Sequence, residues 1–423
     1  MGVATVMLVY FLTRYFYPGW TALFAAFLLA IVPAHVIQSH YMNMDVPLTF
    51  WLTLSIFGLI KYLRADEGDR GWLLWAGFFC GLASSTKYSG LTFIPMLPLA
   101  VWLKRKTVFK ADSWLSLVPV LGGFALGMPY IVTSFGQVTH DAMKVLGFIR
   151  LLDPTSQAGS AYMGNNWLFP LTHPLAQGMG WPLLVLFLVS VLYFLFRPKS
   201  PAVKLLLAWS LFYYFILGKV APEGTRYILP LLPAAMILIA GFIKETADLA
   251  QGARIFPLAA AGVVVIYTAT YSLAYDAMMI APDTRELASS WILQNIKPGA
   301  SIGLVDSSSR WNLPVNIHQD LFVKDTGRYD YRDYGLDTGK LEKQPSDYFV
   351  LLPSDLKAWL LARNPEQGRF YGDLEKSYTR ETTVIKNPQI WGWSFKIAHP
   401  PNDLDYLSPE IIIWKLKNNR KEK

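Results

Sequence analysis

The chain has 423 residues, of which 53% are hydrophobic and only 16% are charged. This balance argues against a soluble globular protein and favours an integral membrane protein. The formal net charge of +8 does not indicate nucleic-acid binding, because the sequence has no basic stripe interleaved with aromatic residues. The single cysteine, Cys80, excludes a disulfide within the chain and a cysteine-based zinc site.

Apolar stretches of roughly 16–20 residues recur as far as about Asp276, and such stretches approach the length that crosses a bilayer. They predict ten helical spans, at 2–13, 19–35, 46–63, 71–86, 88–103, 114–132, 179–196, 202–217, 226–243 and 255–274. After Pro282 the chain becomes polar. We therefore expect a transmembrane domain over 1–281 and an extracytoplasmic α/β domain over 282–423.

The positions of lysine and arginine predict the orientation of the spans. These residues are frequent in one set of short loops, which includes 61–70, 104–110 and 197–204, and are sparse in the other set. Cytoplasmic loops carry the excess of positive charge. The loops 35–45, 84–88, 133–178 and 218–226, and the tail after Pro282, are therefore expected to lie outside the plasma membrane.

Asp45 is the only charged residue between Arg14 and Lys61, and it stands at the mouth of a predicted span. An acid in such a place is costly if it faces lipid. One interpretation is that Asp45 caps the helix that contains Pro47. The other is a catalytic carboxylate, or a metal ligand together with His35 and His40, although their spacing matches no known ligand pattern.

The other outer loops supply cations. Lys87 follows the run Ser84-Ser-Thr86, while Lys219 and Arg226 bracket a short loop. Each cation could simply anchor the chain at the lipid headgroups. Each could instead contact a phosphate, which would suit a lipid-phosphate substrate. The long segment 133–178 contains amphipathic patches and is expected to lie along the membrane and roof a cavity.

The polar tail has the pattern of a small α/β domain. Asp283-Thr-Arg-Glu286 resembles a capping box that begins a helix. The remaining predicted elements are strands at 301–306, 348–352 and 410–416 and a short helix at 354–362. The tail has no phosphate-binding loop and no dinucleotide fingerprint. We expect it to support the membrane domain or to recognise an acceptor.

Five segments together resemble a known family. They are Pro33–Ser39 with Met44–Trp51, Gly77–Tyr88, His173–Pro182, Gly224–Pro233 and Asp283–Ile292. In this order they resemble the GT-C superfamily of membrane glycosyltransferases, in the branch that contains protein O-mannosyltransferases and the lipid A aminoarabinose transferase. The resemblance implies a polytopic enzyme that moves a sugar on the outer face from a polyprenyl-phosphate donor to a protein, lipid or glycan acceptor.

The resemblance also implies roles for particular residues. Asp45 matches an acid of the second outer loop and is the candidate catalytic residue, while Lys87 and Arg226, with Lys219 beside them, are the candidate contacts of the donor phosphate. The candidate cavity-lining residues are His40, Asn43, Tyr88 and Tyr227. No cofactor is implied, and the divalent metal at Asp45 stays an alternative.

In this family the principal base is an acid in the first outer loop, which would precede Met1. We therefore expect the first helix and loop to lie outside the chain, and weak or absent sugar transfer by residues 1–423 alone. Two other functions remain open, a lipid or sugar transporter or flippase and an inactive membrane scaffold. A transporter commonly has ionisable residues at mid-membrane and internal repeats, whereas the predicted spans are nearly free of charge.

Overall fold

The protein is described by a computed structural model covering residues 1–107, 111–148, 167–197, 200–305, 327–352, 365–397 and 400–417. The chain forms two compact units, Met1–Leu273 and Ala274–Lys423. The division falls shortly before the domain boundary expected at 281/282.

The first unit is helical. Its α-helices are Gly2–Arg14, Gly19–Ile31, Pro33–His40, Asp45–Arg64, Gly71–Thr86, Met96–Arg105, Ala111–Leu115, Val118–Gly127, Phe135–Phe148, Ala176–Met179, Trp181–Phe196, Pro201–Val220 and Leu232–Leu249, with Ile255–Ile280 continuing into the second unit. Short 3-10 turns span Tyr88–Phe93, Pro129–Ile131, Thr225–Leu231 and Gln251–Ala253, and a π-turn spans Leu171–Leu175. Every one of the ten apolar stretches therefore coincides with helical structure.

Within the described residues, four helices are long and apolar enough to cross a membrane, and the number rises to six if each of two bent pairs is one span. One bent pair, Gly19–Ile31 with Pro33–His40, turns by 56° at Val32. Pro33 lacks the N–H that would continue the first helix and instead begins the second. The chain is a multi-pass helical membrane protein, with several spans shorter or more broken than the sequence alone predicted.

Glycines allow two helices of the first unit to pack backbone to backbone. A Cβ on Gly81, in Gly71–Thr86, would stand 2.2 Å from the carbonyl oxygen of Val120. A Cβ on Gly123, in the partner helix Val118–Gly127, would stand 2.1 Å from the carbonyl oxygen of Phe78. Small residues permit this close approach between helices in a membrane. The contact fixes the helix that ends just before Lys87.

The second unit contains a mixed five-stranded sheet whose strands are β1 Ser301–Leu304, β2 Asp330–Asp333, β3 Tyr348–Leu351, β4 Tyr378–Val384 and β7 Ile411–Leu416. A separate hairpin pairs β5 Gln389–Ile390 with β6 Trp393–Ser394. The order in the five-stranded sheet is β2-β1-β3-β7-β4. β1 runs parallel to β2 and β3, whereas β7 is antiparallel to β3 and β4.

The second unit confirms most of the elements expected from the sequence. Its helices are Thr284–Asn295, Thr338–Lys343, Pro365–Ser377 and Asn402–Asp405. The Asp283 carboxylate accepts the backbone N–H of Arg285 and so caps the first of them. Three of the strands, β1, β3 and β7, were expected, while β2, β4 and the hairpin were not. The expected helix at 354–362 lies outside the described residues.

Candidate functional site

A cavity of about 490 Å³ lies within the first unit, where the sequence predicted an outer site. Its described lining residues are Met44, Asp45, Ser85, Thr86, Lys87, Tyr88, Ser89, Thr92, Met128, Tyr213, Ile216, Leu217, Val220, Pro222 and Tyr227. The wall is mostly apolar, and its polar atoms are hydroxyls, one carboxylate and one ammonium. Three of the four loops expected to face outward therefore contribute to one cavity.

Asp45 and Lys87 form the charged centre of this cavity. The Nζ of Lys87 donates to Oδ1 of Asp45 at 2.7 Å, across 42 residues of chain. The side chain of Asp45 is 6% exposed and that of Lys87 is 28% exposed. Burial removes water from a charge at a cost of several kcal/mol, which a paired opposite charge offsets. The lysine and the aspartate therefore stabilise each other, and the lysine is the member that water can reach.

The helix Asp45–Arg64 is capped by Asn43 and not by Asp45. The Oδ1 of Asn43 accepts the backbone N–H of Asp45 at 2.9 Å and that of Val46 at 3.3 Å. The capping interpretation of Asp45 is therefore wrong, because Asp45 is the first residue inside the helix, with Met44 at the N-cap position, and a capping side chain comes from a residue that precedes the first turn. Its carboxylate is left to face the cavity.

A buried polar chain connects this cap to the loop that follows the helix Pro201–Val220. The Nδ2 of Asn43 donates to Oε1 of Gln38 at 2.6 Å, and the Nε2 of Gln38 donates to Oγ1 of Thr225 at 3.3 Å. Gln38 and Thr225 are both buried. Neither residue was among the expected site residues, although both belong to predicted outer loops, Gln38 to 35–45 and Thr225 to 218–226.

Tyr227 lines the cavity with its ring against the ammonium of Lys87. The Nζ of Lys87 lies 4.7 Å from the centre of the Tyr227 ring, within the range of a cation–π contact. The buried Tyr213 donates its hydroxyl to the carbonyl oxygen of Tyr227 at 2.8 Å and so fixes the backbone there. Arg226, which is exposed, lies 5.1 Å from the same ring. Tyr213 was not among the expected site residues.

The remaining candidates are distributed unevenly. Tyr88 lines the cavity, and its hydroxyl lies 3.7 Å from the sulfur of Met128. Lys219 lies elsewhere, with its Nζ 5.9 Å from the ring centres of both Trp167 and Phe215. His40 is exposed, and its Nδ1 lies 2.9 Å from the carbonyl oxygen of Val36.

The structure does not bring together the three residues of the metal alternative. His35 is buried with its Nε2 3.3 Å from the carbonyl oxygen of Gly2, while His40 points to its own helix and Asp45 pairs with Lys87. Among the described residues no group of three histidine, cysteine or acidic side chains is arranged to hold a metal ion. Within the long outer segment 133–178, the stretch 149–166 lies outside the described residues.

The arrangement is suited to binding an anion with an apolar tail. Lys87 offers three N–H donors, of which Asp45 occupies one. Ser85, Thr86 and Ser89 also line the cavity, together with apolar side chains such as Leu217. A cavity whose lining combines an ammonium with many apolar side chains is the class of site that suits an amphipathic, negatively charged molecule.

Comparison with known proteins gives the family to which the N-terminal third of the chain is similar. Residues 1–135 match the family model described as dolichyl-phosphate-mannose-protein mannosyltransferase. The resemblance expected from the motifs is thereby confirmed, and the first third of the chain is mannosyltransferase-like in sequence. Asp45 and Lys87 lie inside the matched segment, whereas Arg226 and Tyr227 follow it.

Two curated relatives are similar to this chain over about a third of its length. Dolichyl-phosphate-mannose–protein mannosyltransferase 1 of Saccharomyces cerevisiae is 30% identical in an alignment 159 residues long that covers 33% of this chain and 19% of that protein. YkcB of Bacillus subtilis, whose name proposes a mannosyltransferase, is 31% identical over 136 residues, which are 31% of this chain and 19% of that protein. The matches thus span about a fifth of the length of these relatives.

Among solved structures, the apo ArnT of Cupriavidus metallidurans is 13% identical, with a TM-score of 0.47 over 97% of this chain and 82% of that one. The apo oligosaccharyltransferase of Archaeoglobus fulgidus is 14% identical, with a TM-score of 0.45 over 95% of this chain and 63% of that one. At these scores the likeness carries no functional weight.

Proposed function

We propose that this protein is a membrane glycosyltransferase that uses a sugar carried on a polyprenyl phosphate and transfers it to an acceptor on the extracytoplasmic face. The observation that carries the proposal is the Lys87–Asp45 pair inside a largely apolar cavity, in the segment that is similar to protein mannosyltransferases.

Lys87 is the proposed contact of the donor phosphate. A phosphate replacing water at the exposed side of the ammonium would gain a charge-assisted hydrogen bond in a site of low dielectric. As the sugar leaves, the phosphate gains negative charge, and a fixed cation there stabilises that charge more in the transition state than before it. Arg226, which lies against the ring of Tyr227, could bring a second cation to the phosphate. Lys219 lies beside Trp167 and is less well placed to contact the phosphate.

The apolar wall supports a prenyl chain as the tail of the donor. Ile216, Leu217 and Val220 lie in the last turns of Pro201–Val220 and line the cavity with Met128. A prenyl chain in the bilayer already lies in an apolar medium, so this wall would hold it through van der Waals packing and not through its removal from water. Binding energy from the tail can then position the phosphate, which is the reacting end.

Asp45 is proposed to act in the same site, and two roles are possible for its carboxylate. As the catalytic residue expected from the sequence, it would accept a proton from the acceptor hydroxyl. As a positioning residue, it would hold the ammonium of Lys87 toward the phosphate. The 2.7 Å hydrogen bond from Lys87 to Oδ1 supports positioning, whereas the base role would fall to the second oxygen, Oδ2.

A transporter is less well supported. The buried acid of the helix Leu232–Leu249 is Glu245, one turn before the helix end, where it accepts hydrogen bonds from Tyr17 and Tyr193. Transport sites commonly lie at the bilayer midplane between repeats. The scaffold alternative differs from the enzyme in one measurable property, since a scaffold has no need to bind the donor lipid.

The experiment is to measure binding of polyprenyl phosphate to the full chain in nanodiscs, by wild type and by Lys87→Met. Methionine keeps an unbranched stem and removes the charge. Loss of one charged hydrogen bond of about 1.5–3 kcal/mol predicts roughly 10- to 100-fold weaker binding.

Lys61→Met is the matched control, because Lys61 also lies over aromatic rings, at 4.6 Å from Tyr15 and 4.8 Å from Trp72, far from the cavity lining. It should leave binding unchanged. Equal loss in both variants would indicate attraction to anionic lipid in general, and no loss at Lys87→Met would remove the proposed phosphate site.

A further inference from the structure

An exposed tryptophan hairpin stands out in the second unit. β5 and β6 pair Gln389 with Ser394 and Ile390 with Trp393, so only Trp391 and Gly392 form the turn. Both turn residues have positive φ, 49° and 81°. This is the conformation of a type I′ turn, which matches the twist of the strands but disfavours a bulky residue at its first position. A tryptophan is thus held at the tip against local preference.

Both indoles of this hairpin are left in contact with solvent. Trp391 is 77% exposed and Trp393 is 66% exposed. Ile385, in the segment that leads into the hairpin, is 57% exposed. The rings therefore do not serve the core of the second unit, whose large aromatic residues, such as Phe349 and Tyr378, are buried. Large exposed apolar side chains that lie together commonly mark an interaction surface.

The base of the hairpin is tied to the end of a candidate membrane span. The Nζ of Lys386 donates to the carbonyl oxygen of Met278 at 3.2 Å and to that of Pro282 at 3.1 Å. Met278 is in the last turn of the helix Ile255–Ile280, one of the four helices able to cross a membrane. Lys386 therefore satisfies carbonyls where the span ends and holds the hairpin beside that point.

The length of the helix Ile255–Ile280 indicates that the tip of the hairpin, at Trp391, can reach the lipid headgroups. A helix of 26 residues is about 39 Å long, whereas the hydrocarbon core is about 30 Å thick. The end of the helix therefore emerges in the interfacial layer. Trp391 is five residues from Lys386, which limits their separation to about 18 Å along an extended chain.

A cation–π contact lies just after the end of the same span. The helix Thr284–Asn295 begins just after the span, and its Arg285 lies 5.0 Å from the ring of Tyr406, which is 40% exposed. Lys396, which is exposed, follows the hairpin in sequence. Trp and Tyr are enriched at membrane interfaces because an apolar ring with a polar edge suits that layer, and lysine and arginine favour anionic headgroups.

We propose that Trp391 and Trp393 insert into the headgroup layer of the bilayer and anchor the second unit to the membrane surface. The partner is the lipid surface itself and no particular lipid. A soluble glycan could also stack on indoles, but the attachment of Lys386 to the end of a span favours lipid. This proposal does not depend on the glycosyltransferase activity, so either can fail without the other.

The test is depth-dependent quenching in nanodiscs of phosphatidylcholine and phosphatidylglycerol. The full chain would carry a nitrobenzoxadiazole label on Ser394→Cys, in a Cys80→Ala background that leaves one thiol. Lipids with a nitroxide on the headgroup are the quencher. The reference label is Lys376→Cys, because the side chain of Lys376 is 77% exposed at the end of another helix of the same unit.

The decisive comparison adds Trp391→Asn and Trp393→Thr to the Ser394→Cys protein. Asn-Gly is the preferred pair of a type I′ turn and threonine favours strands, so the hairpin should remain folded without its indoles. We expect several-fold stronger headgroup quenching at 394 than at 376, and loss of most of this difference in the double replacement. Equal quenching at 394 and 376 would overturn the proposal, and so would strong quenching at 394 that survives the double replacement.

Discussion

The side-chain oxygen of Asn43 accepts the backbone N–H of Asp45, so the cap of the helix Asp45–Arg64 and the charge at its mouth belong to two different residues. The carboxylate of Asp45 is thereby left to pair with Lys87. Folding of the helix start and electrostatics of the cavity can therefore be tested by separate substitutions.

Asn43→Ala should destabilise the helix start without changing the charge of the cavity. Removing a capping oxygen costs about 0.5–2 kcal/mol, and the hydrogen bond to Gln38 is lost as well. The measurement is the thermal unfolding midpoint of the purified full chain. Asn43→Asp retains the capping oxygen, loses the amide donor and adds a negative charge that a helix start favours, so it should be less destabilising. Equal destabilisation by both variants would assign the effect to the Gln38 bond.

Asp45→Asn separates the two proposed roles of the carboxylate. If the carboxylate acts only as a base, Lys87 loses an internal competitor, so polyprenyl phosphate binds more tightly while sugar transfer falls. If the carboxylate positions Lys87, binding and transfer both weaken, and this is the result that we expect. The unpaired, partly buried lysine should also lower the unfolding midpoint. Binding, transfer and thermal unfolding are measured on the same preparation.

The double variant Asp45→Asn/Lys87→Met is the control for this experiment. It removes both charges and should recover part of the lost stability, because no buried charge is left uncompensated. If Asp45→Asn is instead neutral for both stability and phosphate binding, the ion pair has no role in the cavity.

Gly81→Ala should disrupt the packing of Gly71–Thr86 against Val118–Gly127. The added methyl would stand 2.2 Å from the carbonyl oxygen of Val120, so one helix must move. Overpacking of this kind costs about 1–3 kcal/mol. The yield and unfolding midpoint of the full chain measure it.

Gly122→Ala is the matched control for the helix packing, since a Cβ there meets nothing within 4 Å. The same substitution at this open position should be neutral or stabilising by up to about 1 kcal/mol, because alanine favours helices over glycine. Similar losses at Gly81 and Gly122 would mean that the close backbone contact does not determine stability.

Asp347 predicts an acid-sensitive contact in the second unit. Its Oδ2 accepts the backbone N–H of Ser301 at 2.8 Å and the Ser301 hydroxyl at 2.7 Å. The backbone N–H is the main reason that the pKa of Asp347 lies below its ordinary value of 3.8. Because the folded state disfavours the proton, this stabilisation is complete at neutral pH and is lost as the pH falls below about 5 and through the lowered pKa.

Asp347→Asn should therefore lower the unfolding midpoint at pH 7, and the gap from wild type should narrow as the pH is lowered. Asp373→Asn is the control, because the side chain of Asp373 forms an ion pair with the exposed Lys376. A gap for Asp347→Asn that stays constant with pH would rule out the charge as the cause.

The sequence by itself determined the helical membrane domain and the polar tail, and it marked Asp45 and Lys87 as separate candidate residues. These follow from local causes: runs of apolar residues must be hidden from water, and an acid at the mouth of a span is costly if it faces lipid. The strands β1, β3 and β7 were also predicted from the sequence, because they are short apolar runs of the kind that a sheet buries.

Only the tertiary structure decided which side chains meet. Lys87 reaches Asp45 across 42 residues and Gln38 reaches Thr225 across 187, and neither separation has a local signal. The same holds for the place of Lys219, which lies by Trp167 and away from Tyr227. Hydrogen bonds and ion pairs act over a few ångströms, so they depend on how distant segments pack, and the periodicity of each segment does not specify that packing.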